Sequence, residues 1–224
     1  MAETLRARFS RLPIVIAPGV YDAFTALVAT QVGFETLYVS GAAVAYTKLG
    51  RPDIGLVSMS EVAETVTLIR DRVDAHTIVD ADTGYGNAIN VVRTVRAFER
   101  AIERATRYKE AGADMLFVEA PKSRDELARI AQALPDTPLM ANMVEGGKTP
   151  ILPAAELELI GFALVIFPGG IVRALGHMAA EYYGSLAANG TTEPYRNRML
   201  GFEEINRVVG TPEMIALGKR YETK

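Results

Sequence analysis

Short apolar runs rich in β-branched residues recur along the chain, at "IVIA" 14–17, "TLYV" 36–39, "TIVD" 77–80, "MLFV" 115–118, "PLMA" 138–141 and "LVIF" 164–167. Runs of this length and type predict six strands. Between them the apolar positions fall at helical spacing over 22–33, 58–73, 124–134 and 153–161. Ser60 precedes Glu61 and Glu64 as an expected N-cap, while Gly33 and Gly161 are expected just past helix ends. Strands apolar on both faces and joined by crossover helices imply a parallel sheet covered by helices. That is either a (β/α) barrel or a doubly wound sheet. No G-x-G-x-x-G opens a helix after the first strand, and "GYGNAI" has Ile89 in the third glycine's place. The reading therefore favours the barrel.

Two stretches depart from the alternation. Residues 171–188, 195–209 and 212–221 read as three helices with no strand between them, so a barrel-like domain over 1–170 and a helical segment over 171–224 are expected. The apolar Leu175, Met178, Tyr182, Tyr183, Met199 and Phe202 would either cap the chain's own barrel or meet another subunit. The second stretch, from Asn90 to Glu110, reads as one uninterrupted helix. At 1.5 Å per residue it would span roughly 30 Å, longer than a barrel crossover needs.

Composition narrows the partners. The 224 residues are 49% hydrophobic and 23% charged, enough for one sizeable core. Twenty-four basic and 27 acidic side chains nearly balance without a block of one sign, which argues against nucleic acid or an anionic membrane and for a small-molecule ligand. Arg6, Arg8 and Arg11 precede an apolar run broken by Pro13 and Pro18, unlike a signal-peptide core, and no segment is long enough to span a bilayer. The absence of cysteine excludes disulfides and thiolate chemistry and accords with a cytoplasmic location.

The candidate chemistry lies at strand ends. Asp80 and Asp82 project to the same side if the strand extends that far, at the end where parallel α/β folds place their active sites. Two adjacent carboxylates need a cation or a proton between them. Oxygen donors without cysteine favour a hard ion, Mg²⁺ or Mn²⁺. A calcium loop is excluded by Tyr85 and Val91 where glycine and glutamate would be required. The structural alternative is that one aspartate caps the following helix. Ser40, Gly41 and Ala42 follow the second strand with backbone N–H groups suited to a carboxylate, or simply form a tight turn. Glu119 ends the fourth run, and Asn142 ends the fifth with Glu145 just beyond. Asp53 lies on a connection that either reaches the same rim or stays in solvent. His76 and His177 read as structural or exposed.

Taken together, "PGVYDAFTALVATQVGFETLYVSGAAVA", "LGRPDIGLVSMSEV", "IVDADTGYGNAINVVRTVRAFERA", "AGADMLFVEAP" and "MANMVEGGKTP" closely resemble the isocitrate lyase/phosphoenolpyruvate mutase superfamily. The nearest branch is that of oxaloacetate decarboxylases, methylisocitrate lyases and dimethylmalate lyases. The resemblance covers nearly the whole chain. It implies a TIM barrel, Mg²⁺ as cofactor, and a homodimer or homotetramer with an exchanged C-terminal helix. By motif it makes Asp80 the direct metal ligand with Asp53 and Asp82 behind it. Tyr38, Ser40, Gly41 and Ala42 would hold the keto-acid carboxylate, and Glu119, Asn142 and Pro168 would line the pocket.

The resemblance also shows a departure. Between "AFERA" and "IERATRYKEAGAD" the family carries its fourth and fifth strands, a gating loop and an arginine for the substrate carboxylate, and none of these is present. The overlong helix then reads as two helix fragments joined. The family's chemistry proceeds through a pyruvate-type enolate, so the implied activity is cleavage of a C–C bond in a 2-keto or 2-hydroxy dicarboxylate. Oxaloacetate decarboxylation is least dependent on the missing acid–base groups, because solvent can protonate the enolate. The alternatives are an inactive, oligomerising paralogue that keeps the metal site, and phosphonopyruvate or phosphoenolpyruvate mutase chemistry.

Overall fold

The computed structural model describes residues 4–80 and 113–221. Asp82, the "DTGYG" turn and the expected long helix at Asn90–Glu110 lie outside the described residues. The chain divides into two compact units, Met1–Ile171 and Val172–Lys224.

The first unit contains six strands: β1 Val15–Val20, β2 Thr36–Val39, β3 His76–Val79, β4 Leu116–Phe117, β5 Leu139–Asn142 and β6 Leu164–Phe167. Their order in the sheet is β3-β2-β1-β6-β5-β4, and every neighbouring pair is parallel. Each strand lies beside its sequence neighbour and β1 lies beside β6. The circuit of a barrel is thus retained, and among the described strands it is broken only between β3 and β4. A doubly wound sheet would instead reverse direction part-way along. The six strands form a half-barrel with helices on its outside.

Two hydrophobic layers follow from strand alternation. Ile14, Leu116, Val118, Leu139, Ala141, Met143 and Val165 face outward, where they pack with Leu127, Ile130, Leu157 and Phe162. Val15, Ala17, Leu164 and Ile166 face inward with Tyr38, Ile78 and Met140. The register Tyr38↔Ile78 fixes which residues share the inner face at the β2–β3 edge.

Local signals place most elements. Helix Ala23–Gln31 opens on a capping box in which Asp22 accepts from the Thr25 N–H at 2.7 Å, and Gly33 takes φ 107° just past its end. Helix Met59–Arg72 begins two residues earlier than Ser60 implies. Ser58 is its N-cap, and Glu61 reaches back to the Ser58 N–H at 2.7 Å. Strand β1 runs on past its expected end at Ala17 to Val20, through Pro18 and Gly19. These residues punctuate most strands but are tolerated here at the rim. Ser40 begins a helical turn, Gly41–Val44, that continues as a π-helix over Ala45–Leu49.

The second unit is helical. It continues helix Gly170–Asn189, then forms a 3-10 turn Glu193–Arg198 and helices Phe202–Val209 and Thr211–Tyr221. The expected helix over 195–209 is therefore two elements separated at Met199–Gly201. Within the unit Tyr182 packs edge-on against Tyr183 and Tyr195, and Arg198 stacks 4.7 Å above the Tyr195 ring while bonding Glu181 at 2.6 Å. No helix among the described residues is long and apolar enough to cross a membrane.

Candidate functional site

The site is built at the carboxyl ends of the strands. Asp80 follows β3 directly and its N–H donates to the Val39 carbonyl at 3.0 Å, so the ladder extends one residue beyond the strand. Alternation from Ile78 turns the Asp80 side chain to the inner face that Tyr38 shares. There the Tyr38 hydroxyl donates to Asp80. Burial pushes the Tyr38 pKa well above the usual phenol value. The charge of Asp80 and its hydrogen bond add to that, followed by the charges of Glu119 and Asp53. A single phenol thus reports three of the expected site carboxylates, from β3, the end of β4 and the connection after β2.

Ser40 is 1% exposed and its hydroxyl oxygen accepts from the Ala43 N–H at 3.2 Å, so it acts as an N-cap. Gly41 and Ala42 occupy the first helical turn, where N–H groups have no acceptor within the helix. A Cβ on Gly41 would lie 3.6 Å from the Asp80 carboxylate, so that turn stands directly beside Asp80. On the other side of the sheet's centre, Glu119, Ala120, Asn142, Lys148 and Thr149 line a cavity of about 370 Å³ whose remaining wall is largely outer-layer residues such as Leu127, Ile130 and Phe162. Partial desolvation raises the Glu119 carboxyl pKa, although the residue as a whole is exposed. Asn142 Oδ1 is buried without a hydrogen-bond partner. An oxygen in that state costs on the order of 1–3 kcal/mol unless a ligand or water satisfies it.

Pro168 follows β6 and belongs to the rim through its backbone: its carbonyl oxygen is 2.2 Å from where a Cβ on Gly19 would stand. The sequence reading missed Gly19, because a glycine needed for close approach looks the same as one that ends a strand. Glu145 reaches the start of helix Gly170–Asn189, with a carboxylate oxygen 3.0 Å from the position of a Gly170 Cβ. His76 sits at the opposite, amino end of β3, and His177 pairs with Glu181 at 3.5 Å on the helix surface.

The donors at this rim are oxygens, and three carboxylates impose a negative field on Tyr38. That chemistry fits a hard dication such as Mg²⁺. Among the described residues no three His, Asp or Glu side chains already converge as a cage, and Asp82 lies outside them.

The family profile described as phosphoenolpyruvate phosphomutase matches residues 5–101 and 95–186. The chain is 30% identical to a 2,3-dimethylmalate lyase of Eubacterium barkeri over 285 residues, covering 99% of this chain and 98% of that protein. The chain belongs to the phosphoenolpyruvate mutase/isocitrate lyase superfamily.

Other members of the superfamily agree with this placement. A 2-methylisocitrate lyase of Aeropyrum pernix is 32% identical over 267 residues, with 92% of this chain and 86% of that protein covered. The crystal structure of a 2,3-dimethylmalate lyase superimposes with a TM-score of 0.84 at 26% identity, covering 96% of each chain. A phosphonopyruvate hydrolase solved with oxalate and Mg++ shares the fold, with a TM-score of 0.83 at 22% identity over 98% of each chain. An alignment of 285 residues against a chain of 224, and a family profile matched in two stretches that meet at 95–101, show that this superfamily member lacks an internal piece.

Proposed function

We propose that the chain is a magnesium-dependent lyase that breaks a C–C bond in a small 2-keto or 2-hydroxy dicarboxylate, with oxaloacetate decarboxylation as its reaction. The observation that carries this reading is the hydrogen bond of the half-buried Tyr38 hydroxyl to Asp80 at the carboxyl ends of the strands, within electrostatic reach of Glu119 and Asp53. Asp80 would hold the metal, with Asp53 and Asp82 behind it. Bound there, a dication supplies electrophilic stabilisation of the negative charge that develops on the C2 oxygen as CO₂ leaves C3.

The chain's own residues do the rest. Tyr38 keeps its proton at neutral pH and hydrogen-bonds through it to Asp80, which fixes the orientation of that carboxylate. The first-turn N–H groups of Gly41 and Ala42, beside Asp80, receive the keto-acid carboxylate. Asn142 Oδ1 accepts from a substrate hydroxyl or an ordered water. Glu119, whose carboxyl pKa is raised by partial desolvation, lines the cavity with Asn142. Carbon protonation is left to solvent, in keeping with a chain shorter than its relatives.

That shortening favours a second reading, an inactive paralogue that keeps the site. One assay separates the two: Mg²⁺-dependent loss of oxaloacetate, corrected for the protein-free rate, in the native protein and in Asp80→Ala. The lyase reading expects about 100-fold slower turnover in the variant. Equal rates refute it. In the second unit Phe202, Met214 and Ile215 are exposed, which supports a homodimer or homotetramer built through the C-terminal segment.

A further inference from the structure

Ala120 is the one non-glycine residue with positive φ among the described residues, at 54°. An L side chain in this region crowds its own backbone, and the proline that follows at 121 restricts the residue before it as well. The conformation persists only because its surroundings hold it.

Those surroundings explain what the turn accomplishes. Leu116 and Val118 face the outer layer, so alternation gives Phe117 and Glu119 to the inner face. Three residues later Ser123 caps helix Arg124–Ala133, accepting from the Glu126 N–H at 3.1 Å, while the Lys122 N–H donates to the Glu126 carboxylate at 2.6 Å. Leu127 and Ile130 of that helix pack in the outer layer. The chain must therefore leave the strand and cross to the outside within residues 120–122. An extended Ala120 would carry it onward along the sheet and take Glu119 with it.

We propose that Ala120 is a positioning residue, whose left-handed backbone makes Glu119 the last inward-facing residue after β4 and aims that carboxyl at the Tyr38 side of the rim. Two observations support this beyond the turn itself: Glu119 lies within electrostatic reach of Tyr38, and Ala120 lines the same cavity as Glu119 and Asn142. The inference rests on the reading of this rim as the reacting site. The cavity wall could instead be a turn with no bearing on Glu119, and the two differ in measurable ways.

The test compares Ala120→Gly, Ala120→Asn and Ala120→Val in the full chain. Glycine and asparagine accept positive φ, whereas a β-branched residue does not. Folding is verified by circular dichroism. The Glu119 carboxyl is followed by ¹³C NMR titration with a chelator present, assigned with Glu119→Gln, and kcat and KM are measured for oxaloacetate with Mg²⁺. Glycine and asparagine should leave the Glu119 titration raised, and their kcat should fall less than that of valine. Valine should return that titration toward the ordinary carboxylate range and lower kcat by roughly 10- to 100-fold, with a smaller change in KM. If Ala120→Val does not fold, Ala120→Leu makes the same comparison with a side chain that is not branched at Cβ. A valine or leucine variant that matches glycine and asparagine in the Glu119 titration overturns the proposal. If the native protein does not decarboxylate oxaloacetate, the functional reading falls, and the titration alone still decides the role of Ala120.

Discussion

Replacing Gly19 with alanine tests the joint between β1 and β6 that forms the middle of the rim. The new methyl would stand 2.2 Å from the Pro168 carbonyl oxygen, 2.6 Å from the Pro168 carbonyl carbon and 2.8 Å from the Phe167 carbonyl oxygen. Carbon and oxygen rest comfortably at roughly 3.3 Å, so the two strands must part by about 1 Å at this point. The neighbours are backbone atoms and have no rotamer to yield. β1 is held to β6 in register from Val15↔Leu164 to Pro18↔Phe167, so parting strains the hydrogen bonds nearest the rim. Overpacking costs about 1–3 kcal/mol, and a weakened ladder bond adds roughly 1 kcal/mol. A total near 3 kcal/mol corresponds to a loss of about 6–12 °C in Tm for a chain of this size. Thermal unfolding followed by circular dichroism reads the change. Gly176→Ala serves as control: this helical glycine has nothing within 4 Å of a new Cβ, and the substitution should leave Tm unchanged or raise it slightly. A Gly19→Ala protein that melts within about 2 °C of native would refute the account of the rim as a close backbone joint.

Two further predictions concern the helices. Ser58→Ala removes the side-chain half of the capping box of helix Met59–Arg72 and should cost about 0.5–2 kcal/mol, measured by urea unfolding. The Ser58 backbone N–H first, and its hydroxyl second, hold the Glu61 carboxyl pKa below its ordinary value. The stabilisation from Glu61 is therefore present above the ordinary carboxylate range and is lost as pH falls through the depressed value, so the share of the Ser58→Ala deficit that comes from the lost hydroxyl bond to Glu61 should vanish on acidification. The proposed assembly should appear in sedimentation equilibrium as two or four times the 24.3 kDa of one chain, and Phe202→Glu should shift it toward monomer. A native protein already monomeric at micromolar concentration would count against the assembly.

The strand periodicity made the barrel readable, because six apolar runs with crossover helices leave few alternatives. Strand order then decided between barrel and doubly wound sheet, and neighbour relations between distant strands are not written in local pattern. Asp80 was legible because an acid at the end of an apolar run has few structural uses. Ser40 was only half legible. A serine after a strand serves equally as a ligand or as a helix cap, and here its hydroxyl oxygen accepts from the Ala43 N–H. The cap at Ser58 rather than Ser60 turned on which of two nearby serines Glu61 could reach back to. Gly19 and Ala120 were invisible. Close approach and left-handed backbone are consequences of packing between segments far apart in the chain.

The alternation along β5 has a consequence for how such a protein can change over generations. Leu139, Ala141 and Met143 belong to the outer layer, while Met140 faces inward and Asn142 lies on the same side of the strand. Durability and chemistry are thus encoded by interleaved letters of one short word. The inner positions Met140 and Asn142 can vary while Leu139, Ala141 and Met143 continue to hold the sheet to its helices. A lineage with this arrangement can explore new reactants without first risking collapse.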